Sequence, residues 1–416
     1  MKKNIKLNNW LWKWHFIAGL VSLPFVLILS ITGGIYLFKQ QYEEPVYKSI
    51  KEVVIEKESI SFQEQWEIVN KNAKIKPNSM VLPVHKNEAT KFISGMFGGA
   101  TSLYVNPYKG EVSGQIIPQT SFMYKVRKLH GELLLGTYGT KLVELVASWM
   151  IVLIITGLYV WWPIKGWSLK GFFIVRRKEG KRTLFRDLHA VTSFWISVFL
   201  LVILAGGLPW TDVFGANFKW FQQVTNTGYP TTWQGNTLHS IKNDKALTLD
   251  EMINVARSLN LEGEVTIYFP KNQEDVFSVS NSTTNLQSQK KYHFDQYSGD
   301  QILRHDWQDV GVLMRARMWL MSFHQGEFGL WNWILMIFMA GTLILASVSA
   351  LVSYLMRKQK GFWGVPDVPG TFRTGIAVHI IIIALGIIFP LFGLSVLLIV
   401  AYEIFTLLKR RKLEAI

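Results

Sequence analysis

Five histidines lie near the ends of five long apolar segments of the sequence. His130 and His324 come shortly before an apolar segment, whereas His15, His189 and His379 come at the start of one. A single histidine beside a membrane helix is often an interfacial residue without a ligand. Five in register are harder to explain in this way, because ionisable groups beside apolar segments are costly and are candidates for function.

The residue types limit the chemistry that these histidines can perform. With Cys 0, the chain cannot form thiolate zinc sites, iron–sulfur clusters or the covalent attachment of c-type haem. A zinc site would also need three or four ligands in one place, with spacings such as H-E-x-x-H that the sequence lacks. A proton relay through Glu144 or Glu403 is an alternative, although neither position is repeated. Imidazoles projecting from facing helices instead predict two non-covalent b haems, each with two histidine ligands.

Five apolar segments have the length needed to position these histidines across a bilayer. A hydrocarbon core about 30 Å thick requires about 20 residues of helix. The predicted segments are 16–38, 142–162, 190–210, 332–355 and approximately 375–402. The first is too long for a signal-peptide core, so we expect it to be retained. We expect the last to be one long tilted helix, kinked at Pro390.

Lysines and arginines indicate how the chain is oriented. Lys+Arg 44 and Asp+Glu 29 give a net charge of +15, and the basic residues cluster in residues 2–13, 165–186 and 357–373. By the positive-inside rule these regions face the cytoplasm, and the long polar stretches lie outside. Basic residues beside helix ends argue against a nucleic-acid partner. The cluster at 409–412 does not fit, because five crossings would place it outside.

The two polar stretches repeat a pattern. Residues 104–111 and 293–300 are each predicted to be a strand that enters an Asx-led turn with a glycine near its end. Upstream, Ser61 and Thr248 precede helical patterns, so each stretch is an α+β unit that ends in a His-Gly-Glu signature. The predicted domains are 1–40 (first membrane helix), 41–120 (first outer unit), 121–210 (second and third helices), 211–320 (second outer unit) and 321–416 (last two helices).

This duplication predicts which histidines share a haem. His130 and His324 are equivalent, so we expect them to pair across the outer haem. For the inner haem we favour His189 with His15, because their helices begin alike, and His379 is the competing partner. Candidate partners for the haem propionates, for which topology alone is the alternative explanation, are Arg127, Lys128, Arg186, Arg315 and Arg317, with Lys13 and Arg182 also near the inner histidines. The remaining histidines, His85, His239, His293 and His305, are interpreted as surface or turn residues.

Several short motifs occur in an order that resembles a known family. They are Trp12-Lys13-Trp14-His15, Thr32-Gly33-Gly34, Leu129-His130, Thr156-Gly157, Arg186-Asp187-Leu188-His189 and His324-Gln325-Gly326-Glu327. Together they resemble the PepSY-associated transmembrane family, which includes bacterial iron-regulated inner-membrane proteins and di-haem siderophore reductases. The resemblance implies an α-helical membrane bundle with two duplicated α+β PepSY-like domains in the periplasm. It also implies the bacterial inner membrane and a cytoplasmic N-terminus.

The resemblance further implies a haem-dependent reductase that releases iron from a ferric siderophore or another ferric chelate. The chain has no G-x-G-x-x-G segment after a strand, so we expect electrons to come from quinol in the bilayer or from a separate reductase. Two alternatives belong to other classes of protein. One is a haem-free PepSY membrane protein that binds an external protein partner, and the other is a siderophore or iron permease.

Overall fold

The computed structural model describes residues 4–95, 100–163, 168–359, 361–369 and 371–414 of the chain. Parts of the predicted basic regions, Lys2, Lys3, Lys165 and Lys360, lie outside the described residues. The helices are α1 (Ile5–Tyr36), α2 (Lys39–Val46), α3 (Lys48–Lys51), α4 (Phe62–Asn72), α5 (Phe122–Glu132), α6 (Gly136–Trp161), α7 (Lys181–Gly207), α8 (Val213–Val224), α9 (Leu249–Ser258), α10 (Val312–Gln325), α11 (Leu330–Arg357), α12 (Ile376–Ile388) and α13 (Pro390–Glu414). The strands are β1 (Ser79–Val81), β2 (Thr90–Ser94), β3 (Thr101–Asn106), β4 (Glu111–Ile116), β5 (Glu264–Tyr268), β6 (Phe277–Ser282), β7 (Lys290–Phe294) and β8 (Gln301–Asp306).

Five of the described helices are long and apolar enough to cross a membrane: α1, α6, α7 with its extension to Trp210, α11, and α13 as far as Lys409. Helix α1 packs on α5, α6 and α11, and α7 packs on α10 and α11. The helices α1, α5 and α6 thus have the same neighbour relations as α7, α10 and α11. We call the end of this bundle beside the sheet the sheet end, and the opposite end, where α7 begins and α11 ends, the basic end.

The prediction of one long helix over 375–402 is wrong. Helix α12 ends at Ile388, the next residue Phe389 has a non-helical backbone (φ −117, ψ 86), and Pro390 begins α13. A Cβ on Gly386 would lie 3.2 Å from the Cα of Gly393, so the chain reverses there. Proline suits the first position of the new helix because its missing N–H would be unpaired anyway. With 13 residues, α12 is about 20 Å long, which is shorter than a hydrocarbon core.

The reversal lies at the sheet end of the bundle. Phe389 packs against Phe214, with ring centres 5.5 Å apart, and both belong to a cluster around Leu208. From there α13 runs along α6, where the Trp149 indole N–H donates to the Ser395 hydroxyl at 3.1 Å. The other end of α13 therefore lies towards the basic end, which resolves the conflict between the charge rule and the basic cluster at 409–412.

The strands of both polar stretches form one antiparallel sheet in the order β4-β3-β2-β1-β5-β6-β7-β8. Each half is a four-strand meander that follows one helix with a capping box, at Ser61 before α4 and at Thr248 before α9. The halves join where β1 pairs with β5, with Met80 opposite Ile267. The two stretches, predicted as separate units, thus share a single sheet.

Alternation along the strands gives this sheet two different faces. The apolar face packs on α4 and α9 and contains Phe92, Leu103, Ile267, Phe277 and Val279 among others. The other face is polar and is covered by the helices that lead into the bundle. Its side chains line a cavity and include Lys91, Tyr104, Tyr268, Ser278 and Lys291.

Candidate functional site

The structure places four of the five predicted histidines in two facing pairs. The ring centres of His130 on α5 and His324 on α10 are 6.1 Å apart, and we call these two residues the sheet-end pair. The ring centres of His15 on α1 and His189 on α7 are 6.4 Å apart, and these form the basic-end pair. Each pair takes one histidine from each half of the bundle, as the duplication predicts.

The fifth histidine, His379, lies apart from both pairs. It is exposed in the first turn of α12, where its ring hydrogen-bonds the Gly375 carbonyl at 3.2 Å and the Thr374 hydroxyl at 3.3 Å. It does not line the cavity that contains His15 and His189. The geometry therefore favours His15 over His379 as the partner of His189.

Backbone carbonyls of neighbouring helices hold three of the four paired rings by Nδ1. His130 Nδ1 donates to Leu29 O at 2.9 Å, His189 Nδ1 to Ala346 O at 3.0 Å, and His324 Nδ1 to Ile203 O at 2.8 Å. In the described part of the chain, every hydrogen bond of the four rings involves Nδ1. Such bonds fix the tautomer that leaves the Nε2 lone pair available, which is the usual second shell of a metal-binding histidine.

Two Thr-Gly pairs complete this support. His15 Nδ1 lies 3.0 Å from the Thr156 hydroxyl, and His130 Nδ1 lies 3.2 Å from the Thr32 hydroxyl. Each hydroxyl donates to a carbonyl of its own helix, so its oxygen is free to accept from the imidazole. A Cβ on Gly33 or Gly157 would lie 3.0 Å from Cε1 of the adjacent histidine. These glycines therefore make space for the imidazoles.

The two pairs are separated by the same length of helix in both halves of the bundle. From His15, α1 runs 14 residues to Leu29, whose carbonyl holds His130. From His189, α7 likewise runs 14 residues to Ile203, whose carbonyl holds His324. At about 1.5 Å per residue the pairs are about 20 Å apart along the bundle. The layer between them is apolar and includes Ile196, Leu200, Met336 and Met339.

A cavity of about 730 Å³ surrounds the basic-end pair, within the size range of cofactor sites. Most of its lining is apolar, and its basic residues are Arg182, Arg186 and Arg357. Sequence reasoning missed Arg357 for this site because the residue served there only as a topology marker. Its guanidinium lies 4.9 Å from the ring centre of Phe16 and 5.3 Å from that of Trp12.

The basic residues predicted as partners of the haem propionates differ in whether they already form an ion pair within the protein. Arg186 binds the buried Asp187 carboxylate at 2.9 Å, and Lys128 forms an ion pair with Glu132. Arg127 lies one helical turn before His130, with its guanidinium 5.0 Å from the ring centre of Tyr124.

On the other half of the bundle, the two predicted arginines are on α10. Arg317 lies two turns before His324 and is buried, with its guanidinium 4.2 Å from the ring centre of Trp210 and its Nε unpaired. Burial lowers its pKa from the ordinary value. Arg315 is half-buried on the same helix. Arg127 and Arg317 are therefore the better-placed cations near the sheet-end pair.

The structure gives Glu144 a structural role. Its buried carboxylate accepts hydrogen bonds from the backbone N–H of Val213 at 2.8 Å and Phe214 at 2.9 Å, at the start of α8. A carboxylate at a helix N-terminus is stabilised by the unpaired N–H groups and the helix dipole. Glu403 is exposed on α13. Neither glutamate is placed to pass protons to a histidine.

The interpretation of His293 and His305 as surface residues is wrong. Both are buried on the polar face of the sheet, with ring centres 5.8 Å apart. The Ser278 hydroxyl lies 2.8 Å from His293 Nδ1, and burial lowers the pKa of His293 to about 4. Strand alternation alone could not reveal this burial, because it depends on the distant segment of Thr232, Trp233 and Gly235, which packs over both rings.

Fold and site together define a multi-pass helical membrane protein with two pairs of facing histidines and an antiparallel sheet. The described residues contain no group of three or more His, Asp or Glu side chains that could hold a metal ion. The model of the PepSY-associated TM region matches residues 12–357, and the chain belongs to this family. The resemblance predicted from the motifs is thereby confirmed. A comparison with curated proteins gave no match.

Proposed function

We propose that this protein is an inner-membrane di-haem reductase that passes electrons across the bilayer to a ferric chelate, such as a ferric siderophore. One observation carries the proposal: two pairs of imidazoles face each other at 6.1 and 6.4 Å, at opposite ends of the bundle. The family match supports the membrane bundle, and the paired imidazoles support the two haems. The reduction of a ferric chelate is proposed from the resemblance to siderophore reductases.

The distances within the pairs fit two axial ligands of one metal. A metal–imidazole bond is about 2 Å long, and the ring centre lies about 1 Å behind the bonded nitrogen, so two axial rings have centres about 6 Å apart. Nδ1 of each ring is already engaged, which leaves Nε2 as the ligand atom. His15 with His189, and His130 with His324, would each hold one haem b.

Bound haem supplies one-electron chemistry, and the protein sets the conditions for it. Carbonyl bonds to Nδ1 make the imidazoles stronger ligands and fix their orientation. Mostly apolar side chains fill the layer between the pairs. As cationic partners for the haem propionates we propose Arg182 and Arg357 at the basic end, and Arg127 and Arg317 at the sheet end. Hydrogen bonds between an arginine and a carboxylate are stronger than those between neutral groups.

The separation of the pairs suits transfer across a bilayer. Two sites about 20 Å apart along the bundle bring one site near each face of a core about 30 Å thick. We propose that quinol or a separate reductase donates at or near the basic end. The acceptor would bind at the sheet end, where each ferric ion takes one electron and leaves its chelator as iron(II). The sheet, as a duplicated PepSY-like unit, would then lie in the periplasm.

An optical spectrum of the purified full chain tests the cofactor. We expect about two haems per chain and the sharp α and β bands of reduced low-spin haem. Replacing His130 or His15 by Ala should each alter one haem and spare the other, whereas His379→Ala is the control and should leave both intact. A protein that stays colourless after haem is added would refute the proposal. It would then favour a haem-free PepSY protein that binds a partner, or a permease.

The reaction needs a separate test. Dithionite-reduced protein, freed of reductant and mixed anaerobically with a panel of ferric chelates, should be reoxidised by at least one of them. A ferrous-specific dye should capture one iron(II) for each haem oxidised. If no chelate oxidises intact haems faster than buffer does, iron reduction is wrong and only a membrane haem protein remains.

A further inference from the structure

A cavity of about 1100 Å³ separates the polar face of the sheet from the bundle. We call it the sheet cavity. Strands from both halves of the sheet form one wall. The opposite wall contains Tyr36 at the end of α1, residues of α2 and α3, and Tyr124 and Arg127 of α5. The cavity is slightly larger than the range typical of small-ligand sites.

The charges that line the sheet cavity are mostly positive. Among the described residues, the basic side chains are Lys39, Lys51, Lys91, Arg127, Lys271, Lys290 and Lys291. The acidic ones are Glu43 and Asp275, and both already have partners: Glu43 accepts from the Ser121 hydroxyl at 3.0 Å, and Asp275 accepts from the Lys271 backbone N–H at 3.1 Å. Lys91 also forms an ion pair with Glu264 at 4.0 Å, so seven positive charges against three negative charges leave an excess of four, which attracts anions and concentrates them in the cavity.

Lys291 is the most unusual of these cations. It is only 5% exposed, and its ammonium lies 4.7 Å from the ring centre of Tyr268 and 5.9 Å from that of Trp233. No carboxylate of the described residues forms an ion pair with it within 4.0 Å. Burial lowers its pKa to about 8. A buried ammonium without a counter-ion is costly, so an anion that enters the cavity would relieve that cost.

Aromatic side chains share the lining with these cations. Six tyrosines and one tryptophan line the cavity: Tyr36, Tyr47, Tyr104, Tyr124, Tyr229, Tyr268 and Trp233. Tyrosine and tryptophan offer flat apolar faces for a ring and a polar group for hydrogen bonding. The lining therefore suits a ligand that is both anionic and aromatic.

The cavity ends about one helical turn from the sheet-end pair. Arg127, in the cavity wall, lies one helical turn from His130 on α5. Tyr36, in the same wall, lies one turn beyond Gly33, which contacts the His130 ring. A ligand in the cavity would thus lie within about one helical turn of His130 on the same side of the bundle.

From these features we infer that the sheet cavity binds ferric chelates that carry several negative charges and aromatic donor groups, with Lys291 selecting for the charge. This inference rests on the proposed function for the ligand's role as electron acceptor. A ferric tris-catecholate fits the description, because three doubly charged catecholates around Fe³⁺ leave a net charge of minus three. A ferric tris-hydroxamate has no net charge and gains nothing from the excess of lysines.

Binding of gallium(III) chelates to the full chain in nanodiscs tests the inference without electron transfer, because gallium(III) has the charge of iron(III) and is not reduced under these conditions. By calorimetry, we expect gallium tris-catecholate to bind at least tenfold more tightly than gallium tris-hydroxamate. Lys291→Met and Lys91→Met should each weaken tris-catecholate binding at least tenfold. The control is Lys109→Met, which removes an exposed lysine from the turn after β3 and should change binding less than twofold.

Equal binding of the two gallium chelates, no binding of tris-catecholate, or an equal loss in Lys109→Met would overturn the inference. Unchanged haem content and melting temperature in Lys291→Met show that the chain is folded, and Lys91→Met provides a second variant. If binding fails while reduced haems still reduce ferric chelates, only the sheet cavity inference is lost. If binding succeeds in a chain that holds no haem, the proposed reductase is wrong and the anion site stands.

Discussion

Adjacent glycines of α1 allow the support of His130 to be tested with a matched pair of variants. A Cβ on Gly33 would lie 3.0 Å from His130 Cε1, whereas a Cβ on Gly34 would lie 3.5 Å from the Ala340 Cβ, an ordinary contact. Both Gly→Ala changes raise helix propensity by about 1 kcal/mol, so this gain cancels in the comparison. The difference between the variants therefore reports the imidazole contact.

The expected size of the effect follows from the distances. Carbon atoms prefer separations of about 3.5–4.0 Å, so Gly33→Ala must push the ring away from α1 by about 0.5 Å. The Nδ1 bonds to Leu29 O at 2.9 Å and to the Thr32 hydroxyl at 3.2 Å both join the ring to α1. Such a shift stretches them beyond the usual limit of about 3.2 Å. Loss of second-shell support typically weakens metal binding about 10–100-fold.

Haem retention provides the assay. Apo-myoglobin, used as a competitor, should remove one haem from Gly33→Ala at concentrations that leave both haems in Gly34→Ala and in the unaltered chain. The low-spin signal of that haem in electron paramagnetic resonance should change, and the other signal should not. If Gly33→Ala and Gly34→Ala retain haem equally and give identical spectra, the proposed role of His130 as a ligand held against α1 is refuted.

Three other predictions concern topology, stability and pH. In this cysteine-free chain, a membrane-impermeant thiol reagent should label Ser282→Cys and should not label Ser168→Cys or Lys409→Cys. Labelling of Lys409→Cys would contradict the reversal before α13. Glu144→Gln should reduce the free energy of unfolding by about 1–3 kcal/mol and so lower the melting temperature, while the haem spectra and the haem reoxidation rate stay unchanged. Slower haem reoxidation at an unchanged melting temperature would instead indicate a proton relay. Tris-catecholate binding should weaken as the pH rises above about 8, because Lys291 then loses its proton, and Lys291→Met should abolish this dependence.

Local patterns were sufficient for much of the fold. Apolar length located α1, α6, α7 and α11, because a membrane helix is specified by a continuous run of residues. Capping residues located α4 and α9, since a capping box is complete within four residues. The repeated signatures also led to the prediction that His130 and His324 pair, and their ring centres lie 6.1 Å apart.

Features that depend on contacts between distant segments could not be predicted in this way. The sequence favoured His15 as the partner of His189 but left His379 as a competitor, and the packing of α1 against α11 and of α6 against α7 favours His15. The reversal at Phe389 likewise depends on the close approach of Gly386 to Gly393.

The sequence by itself determined the family, the first four membrane segments and the histidines in register, because each of these is a local or repeated pattern. Only the tertiary structure decided that both polar stretches share one sheet, and that its polar face is turned towards the bundle instead of solvent. The same alternation along β7 would suit an exposed face or a buried one. Trp233 and Gly235, from a distant segment of the chain, pack over Lys291 and His293, and no pattern within the strand specifies that covering.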